Sequence, residues 1–386
     1  MTPSWRRGMA MVTMMAILIG IGWVMVFSTS AILDLVVAQT RGGRGVFHHL
    51  GRQILATGLG ALAIWAIVRL PVAEMERWAL HALAGTGALM LAVFIPGLGH
   101  TVGHATRWLV LGQLSFQPVE PFKLAVVLCY TVILAGTRPQ ESWPGVAWLK
   151  LGGLAAIAVV LPLVQRDFGS AALLMALGFM VVWLAGGRAR YLAVAGGVGL
   201  ALAVGAIAVE PYRLRRITDF VSHLTGGGGA YQTRQSLIAL GAGGVFGRGL
   251  GESIQKLYYL PSSHADFIFA ILCEELGFLF GGLSVIMLFV FLLREGTGIA
   301  RAVNGRLAYL LASGMAFLIF MQAMWHIAVV LVLVPTKGLA LPFISYGGSS
   351  LIASMMAVGI ILRCAAEPAA GQAGQAPRVV AWTPSS

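Results

Sequence analysis

The sequence predicts an all-α fold: a polytopic integral membrane protein with about ten transmembrane helices and one long outer loop. Three observations lead to this prediction. Hydrophobic residues make up 58% of the chain and charged residues only 10%, whereas soluble domains carry about 25% charged residues. Apolar runs long enough to span a bilayer recur to the end of the chain. No segment alternates polar and apolar residues with the period of a β-strand.

The apolar runs define the helices in chain order. Each approaches or exceeds the roughly 20 residues that cross the hydrocarbon core. The first follows Arg6 and Arg7 and is longer than the roughly 7–15 apolar residues of a cleaved signal peptide, so we expect it to stay attached. The predicted spans are residues 8–33, 50–68, 78–96, 119–136, 146–164, 169–186, 190–209, 266–293, 307–333 and 343–363.

Two of the segments outside these spans have a distinctive composition. Residues 210–265, between the seventh and eighth helices, mix aromatic, apolar and many glycine residues. We expect this loop to lie on the membrane surface or to dip into the protein. Residues 366–386 are rich in Ala, Gly, Pro and Gln, a composition typical of a disordered tail. The transmembrane domain is therefore expected to cover residues 1–365.

The basic residues predict an orientation and a class of ligand. With the N-terminus inside, 13 Lys and Arg fall in inner segments and 12 in outer ones. Without the long outer loop, which obeys the positive-inside rule poorly, the count is 13 against 6. Both termini are therefore expected in the cytoplasm. No block of like charges forms a nucleic-acid-binding arm, so the net charge of +12 indicates anionic lipid or an anionic substrate.

The stretch PSSHADFIFAILCEELGF, residues 261–278, places three carboxylates in an otherwise apolar segment. Asp266 can act as a capping or first-turn acid at the start of a helix. Ionisable groups inside a membrane usually mark a pathway or a binding site. For Glu274 and Glu275 a paired structural carboxylate is the alternative. The segment is therefore a candidate site, with both interpretations open.

Charged residues cluster at two further places in the outer half. Glu120 and Lys123 are three residues apart on one helix face, so they form either an ion pair or a cation site for an anionic ligand. Arg107 lies at the outer interface just before this helix. Arg166 and Asp167 fit a turn followed by an acid at the N-terminus of the next helix.

Lys337 lies between two prolines in VLVPTKGLALPFISYGGSS, ahead of the last span. Either the small residues that follow let helices pack closely, or Pro-broken helix ends line a cavity. The sequence contains no GxxxxGK[ST] phosphate loop and no His/Cys spacing typical of zinc. Basic side chains that concentrate in the outer half suit a ligand with an anionic head and an apolar tail, such as a lipid diphosphate.

Five motifs in register over about residues 10–363 resemble the SEDS family (shape, elongation, division and sporulation). They are RWLVLG…FQPVEPFKLAVVL, QRDFGSA, PYRLRRITDF…YQTRQSLIALGAGGVFGRGLG, LPSSHADFIFAILCEELGF and PTKGLALPFISYGGSS. QKLYYLP and YQ…QSLIALG are closer to the FtsW/SpoVE branch than to RodA. The resemblance implies ten transmembrane helices with both ends in the cytoplasm.

The resemblance also implies a function: a peptidoglycan glycosyltransferase that polymerises lipid II and releases undecaprenyl diphosphate. Asp266 would be the catalytic residue, a general base for the acceptor sugar hydroxyl. The substrate-binding residues would be Arg107, Glu120, Lys123, Arg213, Arg216, Gln235, Ser236, His264, Lys337 and Ser345. A lipid II flippase and a non-catalytic division scaffold are the alternative functions.

The implied setting is the bacterial cytoplasmic membrane, with a class B penicillin-binding protein transpeptidase and other division or elongation proteins as partners. The resemblance implies no particular cofactor and leaves a requirement for a divalent cation, Mg²⁺ or Mn²⁺, open. The chain departs from the family pattern at Val119, Arg166, Ser262 and His326. These departures keep the expected base and the main cations, and His326 adds a group that can be pH-sensitive.

Overall fold

The computed structural model describes residues 3–41, 46–102, 105–112, 114–137, 143, 145–188, 196–197, 218, 222, 231–257, 259–335 and 338–367. Within them the chain is mainly helical, as predicted. The helices are α1 (Pro3–Arg41), α2 (His48–Arg69), α3 (Val72–Ala92), α4 (Val119–Ala135), α5 (Gly145–Val164), α6 (Phe168–Leu184), α7 (Tyr231–Gly243), α8 (Ile268–Gly277), α9 (Ser284–Ala302), α10 (Arg306–Val330) and α11 (Gly348–Ala365). Most of the predicted seventh span, 190–209, most of the first half of the outer loop, and tail residues 368–386 lie outside the described residues.

The described part of the chain contains six helical segments that are long and apolar enough to cross a membrane. They are Ser4–Ala31, His48–Arg69, Gly145–Val164, Ile268–Ala302, Arg306–Val330 and Gly348–Ala365. Helix α6 is a shorter apolar helix. Helix α4 matches the fourth predicted span, 119–136, whereas α3 overlaps the third, 78–96, but begins six residues earlier, at Val72. The chain is therefore a multi-pass membrane protein, and the count of ten spans stays a prediction.

A small antiparallel sheet precedes α4, where we expected no strands. Its strands β1 (Gly99–Val102), β2 (Ala105–Leu111) and β3 (Leu114–Phe116) lie in the order β1-β2-β3. The expectation was wrong here because strands of three to seven residues are too short to show a clear alternation of polar and apolar residues. The sheet is a local addition to a helical fold.

Helix α8 breaks at Gly277, inside the segment predicted as one span, 266–293. Gly277 has φ 77°, a conformation that glycine adopts without steric cost. A π-helical turn, Phe278–Leu283, then leads into α9. Such a break releases backbone groups from the helix, and lipid cannot hydrogen-bond them. The protein must therefore supply the partners.

The outer-loop segment 244–257 supplies them. The N–H groups of Arg248 and Gly249 donate to the carbonyl oxygens of Glu274 and Glu275, at 3.0 Å each. Non-helical backbone is tolerated at membrane depth only where it is buried in protein or lines a wet cavity. Of the two arrangements expected for the outer loop, this segment therefore adopts the one that packs against the protein.

Helix α10 is the central helix and packs against α4, α6, α9 and α11. Arg306, its first residue, donates from Nε to the carbonyl of Leu134 (3.0 Å) and from Nη2 to that of Ala185 (2.8 Å). These carbonyls lie at the C-terminal ends of α4 and α6, where backbone acceptors lack intrahelical partners and favour a cation. Arg306 thus links the N-terminal end of α10 to the C-terminal ends of α4 and α6.

Candidate active site

Asp266 lies in the turn 261–267, directly before α8. The N–H groups of Ala265 and Asp266 both donate to the carbonyl of Ser262 (3.0 Å each), and Ser262 has φ 56°. The N-cap of α8 is Phe267, and the first turn of the helix carries no acidic residue. The capping interpretation of Asp266 is therefore wrong, because its side chain precedes the cap and is half-buried instead.

The carboxylate of Asp266 rests on the backbone of Gly338. A Cβ built at Gly338 would lie 2.6 Å from each carboxylate oxygen. Only a residue without a side chain leaves room for this contact. Gly338 opens the segment 338–347, the second part of the connection 331–347 between α10 and α11. This connecting segment therefore forms the floor of the site.

Helix α10 holds one end of the connecting segment. His326 bonds through Nδ1 to the carbonyl of Leu339 (2.6 Å), and Gln322 donates from Nε2 to the carbonyl of Ala340 (3.1 Å). Both side chains are buried and lie four residues apart, so they share one helix face. His326, a departure from the family pattern, thus anchors the residue next to Gly338.

The turn of Asp266 holds the other end. Ser345 donates from Oγ to the carbonyl of Ala265 (2.8 Å), and the N–H of Tyr346 donates to the carbonyl of His264 (3.0 Å). Ser345 Oγ also accepts from the N–H of Leu341 (2.8 Å). The structure therefore brings His264 and Ser345, two expected substrate-binding residues, into the same assembly as Asp266.

Glu120 and Lys123 form an ion pair, one of the two interpretations that their spacing left open. Lys123 Nζ lies 2.9 Å from Glu120 Oε2 and donates to Gln322 Oε1 at 2.6 Å. Both charged side chains are buried, Lys123 at 1% exposure and Glu120 at 4%. A small cavity beside them is lined by residues of α4, α10 and α11. Gln322 also donates to the carbonyl of Ala340, so the Glu120–Lys123 ion pair is linked through Gln322 to the connecting segment.

Arg107 and the 166–167 turn make a separate contact. Arg107, on β2, donates from Nε to the carbonyl of Gln165 (3.5 Å) and from Nη2 to that of Arg166. Asp167 accepts from the N–H of Ser170 (3.0 Å) as the N-cap of α6. The prediction of a turn followed by an N-terminal acid is confirmed. The partners described for Arg107 belong to this turn and not to that of Asp266.

Of the other residues expected to bind substrate, two lie among the described residues and three do not. On α7, Ser236 is buried and donates to the carbonyl of Val330 (2.9 Å) at the C-terminal end of α10, while Gln235 is half-buried. Arg213, Arg216 and Lys337 lie outside the described residues. The position of Lys337 in the chain, directly before Gly338, is the sequence feature that relates it to Asp266.

Glu274 and Glu275 anchor the outer-loop segment rather than face the turn of Asp266. Glu274 accepts from the hydroxyl of Ser253 and from the N–H of Ile254 (3.1 Å). Glu275 accepts from Lys256 Nζ and from Ser28 Oγ, at 2.7 Å each. These contacts fit a structural role for the two carboxylates rather than a role in a binding site or pathway. No three His, Cys, Asp or Glu side chains in the described ranges form a group that could hold a metal ion.

Four residues that surround the same assembly were not predicted from the sequence: Asp34, His49, Gln53 and Tyr346. Asp34 and His49 pair across the connection between α1 and α2, with 2.6 Å between Oδ1 and Nδ1. Gln53 donates from Nε2 to the carbonyl of Ser345 (3.2 Å). The sequence feature that could have indicated the Asp34–His49 pair is an acid just beyond the first apolar span, followed by the adjacent histidines His48 and His49.

Comparisons with known proteins agree with this architecture. Residues 9–369 match the profile FTSW_RODA_SPOVE, described as "Cell cycle protein". The chain is 36% identical over 357 residues to a probable peptidoglycan glycosyltransferase FtsW of Geobacter sp. (strain M18), covering 92% of this chain and 95% of that protein. It is 34% identical to stage V sporulation protein E of Bacillus subtilis (strain 168), covering 94% and 97%.

Two solved structures are similar across the same range. One, described as "Structural coordination of polymerization and crosslinking by a peptidoglycan synthase complex", superposes with a TM-score of 0.73 at 27% identity and covers 92% of this chain and 96% of that chain. The crystal structure of the rod shape determining protein RodA of Thermus thermophilus gives a TM-score of 0.66 at 27% identity, with 92% and 95% covered. The chain belongs to the SEDS family, which contains FtsW, RodA and SpoVE.

Proposed function

We propose that this protein is a peptidoglycan glycosyltransferase that polymerises lipid II, the lipid-linked disaccharide-peptide unit, with release of undecaprenyl diphosphate. The observation that carries the proposal is the placement of Asp266: a half-buried carboxylate seated on Gly338 in a site built by α8, α10 and the connecting segment. The curated relatives named as glycosyltransferases support the reaction class. Polymerisation of lipid II is a step in the synthesis of the bacterial cell wall.

Asp266 acts as the general base. Its carboxylate takes the proton of the acceptor sugar hydroxyl while that oxygen forms a bond to the anomeric carbon of the donor. The bond from this carbon to the diphosphate oxygen breaks, and undecaprenyl diphosphate leaves with the bonding electrons. A single displacement of this kind inverts the anomeric centre. The isoprenoid tail stays in the bilayer, which explains why the reacting carboxylate belongs to a membrane protein.

Cationic side chains stabilise the charge that develops on the leaving diphosphate. Lys337 is assigned this role because it precedes the glycine on which Asp266 rests. Arg107, Arg213 and Arg216 are the further candidates. Lys123 is buried between Glu120 and Gln322, so in this arrangement it supports the connecting segment through Gln322. A direct contact between Lys123 and substrate stays a prediction.

The proposed setting is the cytoplasmic membrane of a bacterium, with both termini in the cytoplasm. The partner is a class B penicillin-binding protein that crosslinks the new chains, together with other division or elongation proteins. A solved relative described as coordinating polymerization and crosslinking supports this pairing. The excess of Lys and Arg in the predicted inner segments supports the orientation.

The test is polymerisation by the purified protein in liposomes that contain fluorescent lipid II, with and without the cognate transpeptidase. We expect a ladder of glycan chains on a gel, and more product with the partner present. The same liposomes report movement of lipid II between leaflets through quenching of the outer fluorophores. Movement without chains, in a folded sample with its partner, would replace the polymerase with a flippase. Neither chains nor movement would indicate a scaffold.

Substitution of Gly338 by alanine tests the floor of the site. The added Cβ would push the carboxylate of Asp266 away, and a displacement of about 1 Å can lower a rate by about 10²-fold. We expect that loss in polymerisation with little change in thermal unfolding, because the displaced atoms are the end of a side chain and φ of Gly338 is outside the left-handed region. The control is Gly152→Ala on α5, where a Cβ meets nothing within 4 Å. Full activity of Gly338→Ala would show that the Asp266–Gly338 contact is dispensable.

A further inference from the structure

A second polar cluster joins α1 and α2 to the segments that hold Asp266. It consists of Asp34 near the end of α1, His49 in the first turn of α2, His264 in the 261–267 turn and Tyr346 in the connecting segment; we call it the Asp34–His49 cluster. The motifs that carry the SEDS resemblance do not include Asp34 or His49. The cluster is therefore a feature of this chain that the proposed reaction does not yet use.

Asp34 fixes the position of His49. Its side chain is only 2% exposed, and a buried carboxylate is costly unless donors surround it. The N–H of His49 donates to Oδ2 (3.2 Å), and Nδ1 of the same residue bonds to Oδ1 (2.6 Å). The backbone bond satisfies one of the free N–H groups at the start of α2. Asp34 thus sets both the start of the helix and the orientation of the imidazole.

The imidazole of His49 contacts the two residues that join the connecting segment to the turn of Asp266. Its ring centroid lies 4.8 Å from that of Tyr346, edge to face, and 5.7 Å from that of His264. Burial, together with the nearby His49, lowers the pKa of His264, and Asp34 opposes this effect. A neutral His264 packs against His49 without adding a charge to the cluster.

The same face of α2 makes a second contact with the connecting segment. Gln53 lies four residues after His49 and donates to the carbonyl of Ser345 (3.2 Å), while its Oε1 accepts from the N–H of Gly347 (3.4 Å). The connecting segment is therefore held by α2 directly across from the bonds that Ser345 and Tyr346 make to the turn of Asp266.

We propose that Asp34 and His49 are positioning residues for the reaction: together they hold His264 and Tyr346 and thereby set the geometry of Asp266. The effect on rate rests on the proposed function, since Asp266 is the base there. Neither residue needs to touch substrate. The His48 ring, 5.5 Å from that of His49, and Arg52 are the other ionisable groups of α2 near the cluster.

The test uses full-length protein with Asp34→Asn, His49→Phe and the double substitution. Phenylalanine keeps the ring and removes the nitrogen that Asp34 binds. We expect kcat for lipid II polymerisation to fall by about 10- to 100-fold in each single variant. The double variant should fall no further, because the two residues act as one unit. KM should change less than kcat, since the base is displaced while expected substrate-binding residues outside these two segments, such as Arg107, keep their contacts. The control is the same His→Phe substitution at His81. This residue lies on α3, and α3 packs against α4 and α5.

Hydrogen–deuterium exchange gives a readout that does not depend on activity. We expect faster exchange over residues 261–267 and 341–347 in both single variants, and unchanged exchange in His81→Phe. Wild-type kcat in both single variants, or unchanged exchange in these two segments, would overturn the inference. If the wild-type protein formed no glycan chains, the proposed function would fail, and the exchange result would still decide whether the cluster positions the turn.

Discussion

Asp266→Asn is expected to lower polymerisation of lipid II by about 10²- to 10⁴-fold, the range that a positioned general base contributes. Asparagine has nearly the same size and can keep its place above Gly338, but it cannot accept the proton of the acceptor hydroxyl. The loss should therefore appear in kcat, while binding of lipid II stays close to wild type. Gel analysis of glycan chains under single-turnover and steady-state conditions measures both quantities.

Asp266→Glu is the matched control for this substitution. Glutamate retains the base but is one methylene longer, so it must move away from Gly338, and we expect an intermediate rate. Equal activity of Asp266→Asn and wild type would remove Asp266 from the chemistry. The structure offers poor substitutes for it, because Glu120 is buried against Lys123 and Asp167 caps α6.

Lys256→Met is expected to destabilise the protein by about 3–5 kcal/mol, the usual cost of removing one partner of a buried ion pair. Lys256 Nζ donates to Glu275 Oε1 (2.7 Å) and to the carbonyl of Gly251 (2.6 Å). The Lys256 and Glu275 side chains are 5% and 0% exposed. Among the described residues the second oxygen, Oε2, of Glu275 has no hydrogen-bond partner. Methionine would leave this carboxylate with Ser28 as its remaining donor.

Thermal unfolding in detergent micelles at a fixed scan rate measures this change, and we expect a clear fall in the unfolding temperature. The double substitution Lys256→Met with Glu275→Gln is the control. It removes both charges, so it should recover a large part of the lost stability. An unchanged unfolding temperature in Lys256→Met would show that the outer-loop segment is not anchored through this pair.

Local features of the site were predictable from spacing. The three-residue separation of Glu120 and Lys123 places them on one helix face, and of the two interpretations that this spacing left open the structure shows the ion pair. The position of Asp167 before an apolar run predicts an N-terminal acid, and Asp167 caps α6. Both relations involve residues within one turn of helix, so the periodicity of the helix determines them.

Other features were not predictable because the bonds that create them join distant parts of the chain. The break at Gly277 interrupts a predicted span that is apolar apart from Asp266, Glu274 and Glu275, and hydrogen bonds from the backbone of the outer-loop segment make the break tolerable. Asp266 occupies a typical position for a helix-starting acid, yet it rests on Gly338 instead of capping α8. The pairing of Asp34 with His49 depends on how α1 meets α2.

The sequence by itself determined that this is a mainly helical, multi-pass membrane protein, and its motifs indicated the family and the carboxylate of interest. Hydrophobicity and helical period are properties of neighbouring residues, so they can be read along the chain. The tertiary structure alone decided what surrounds Asp266: the Gly338 floor, the anchors from α10 and the contacts from α2. These depend on which helix faces pack together, and a short-range pattern does not encode that choice.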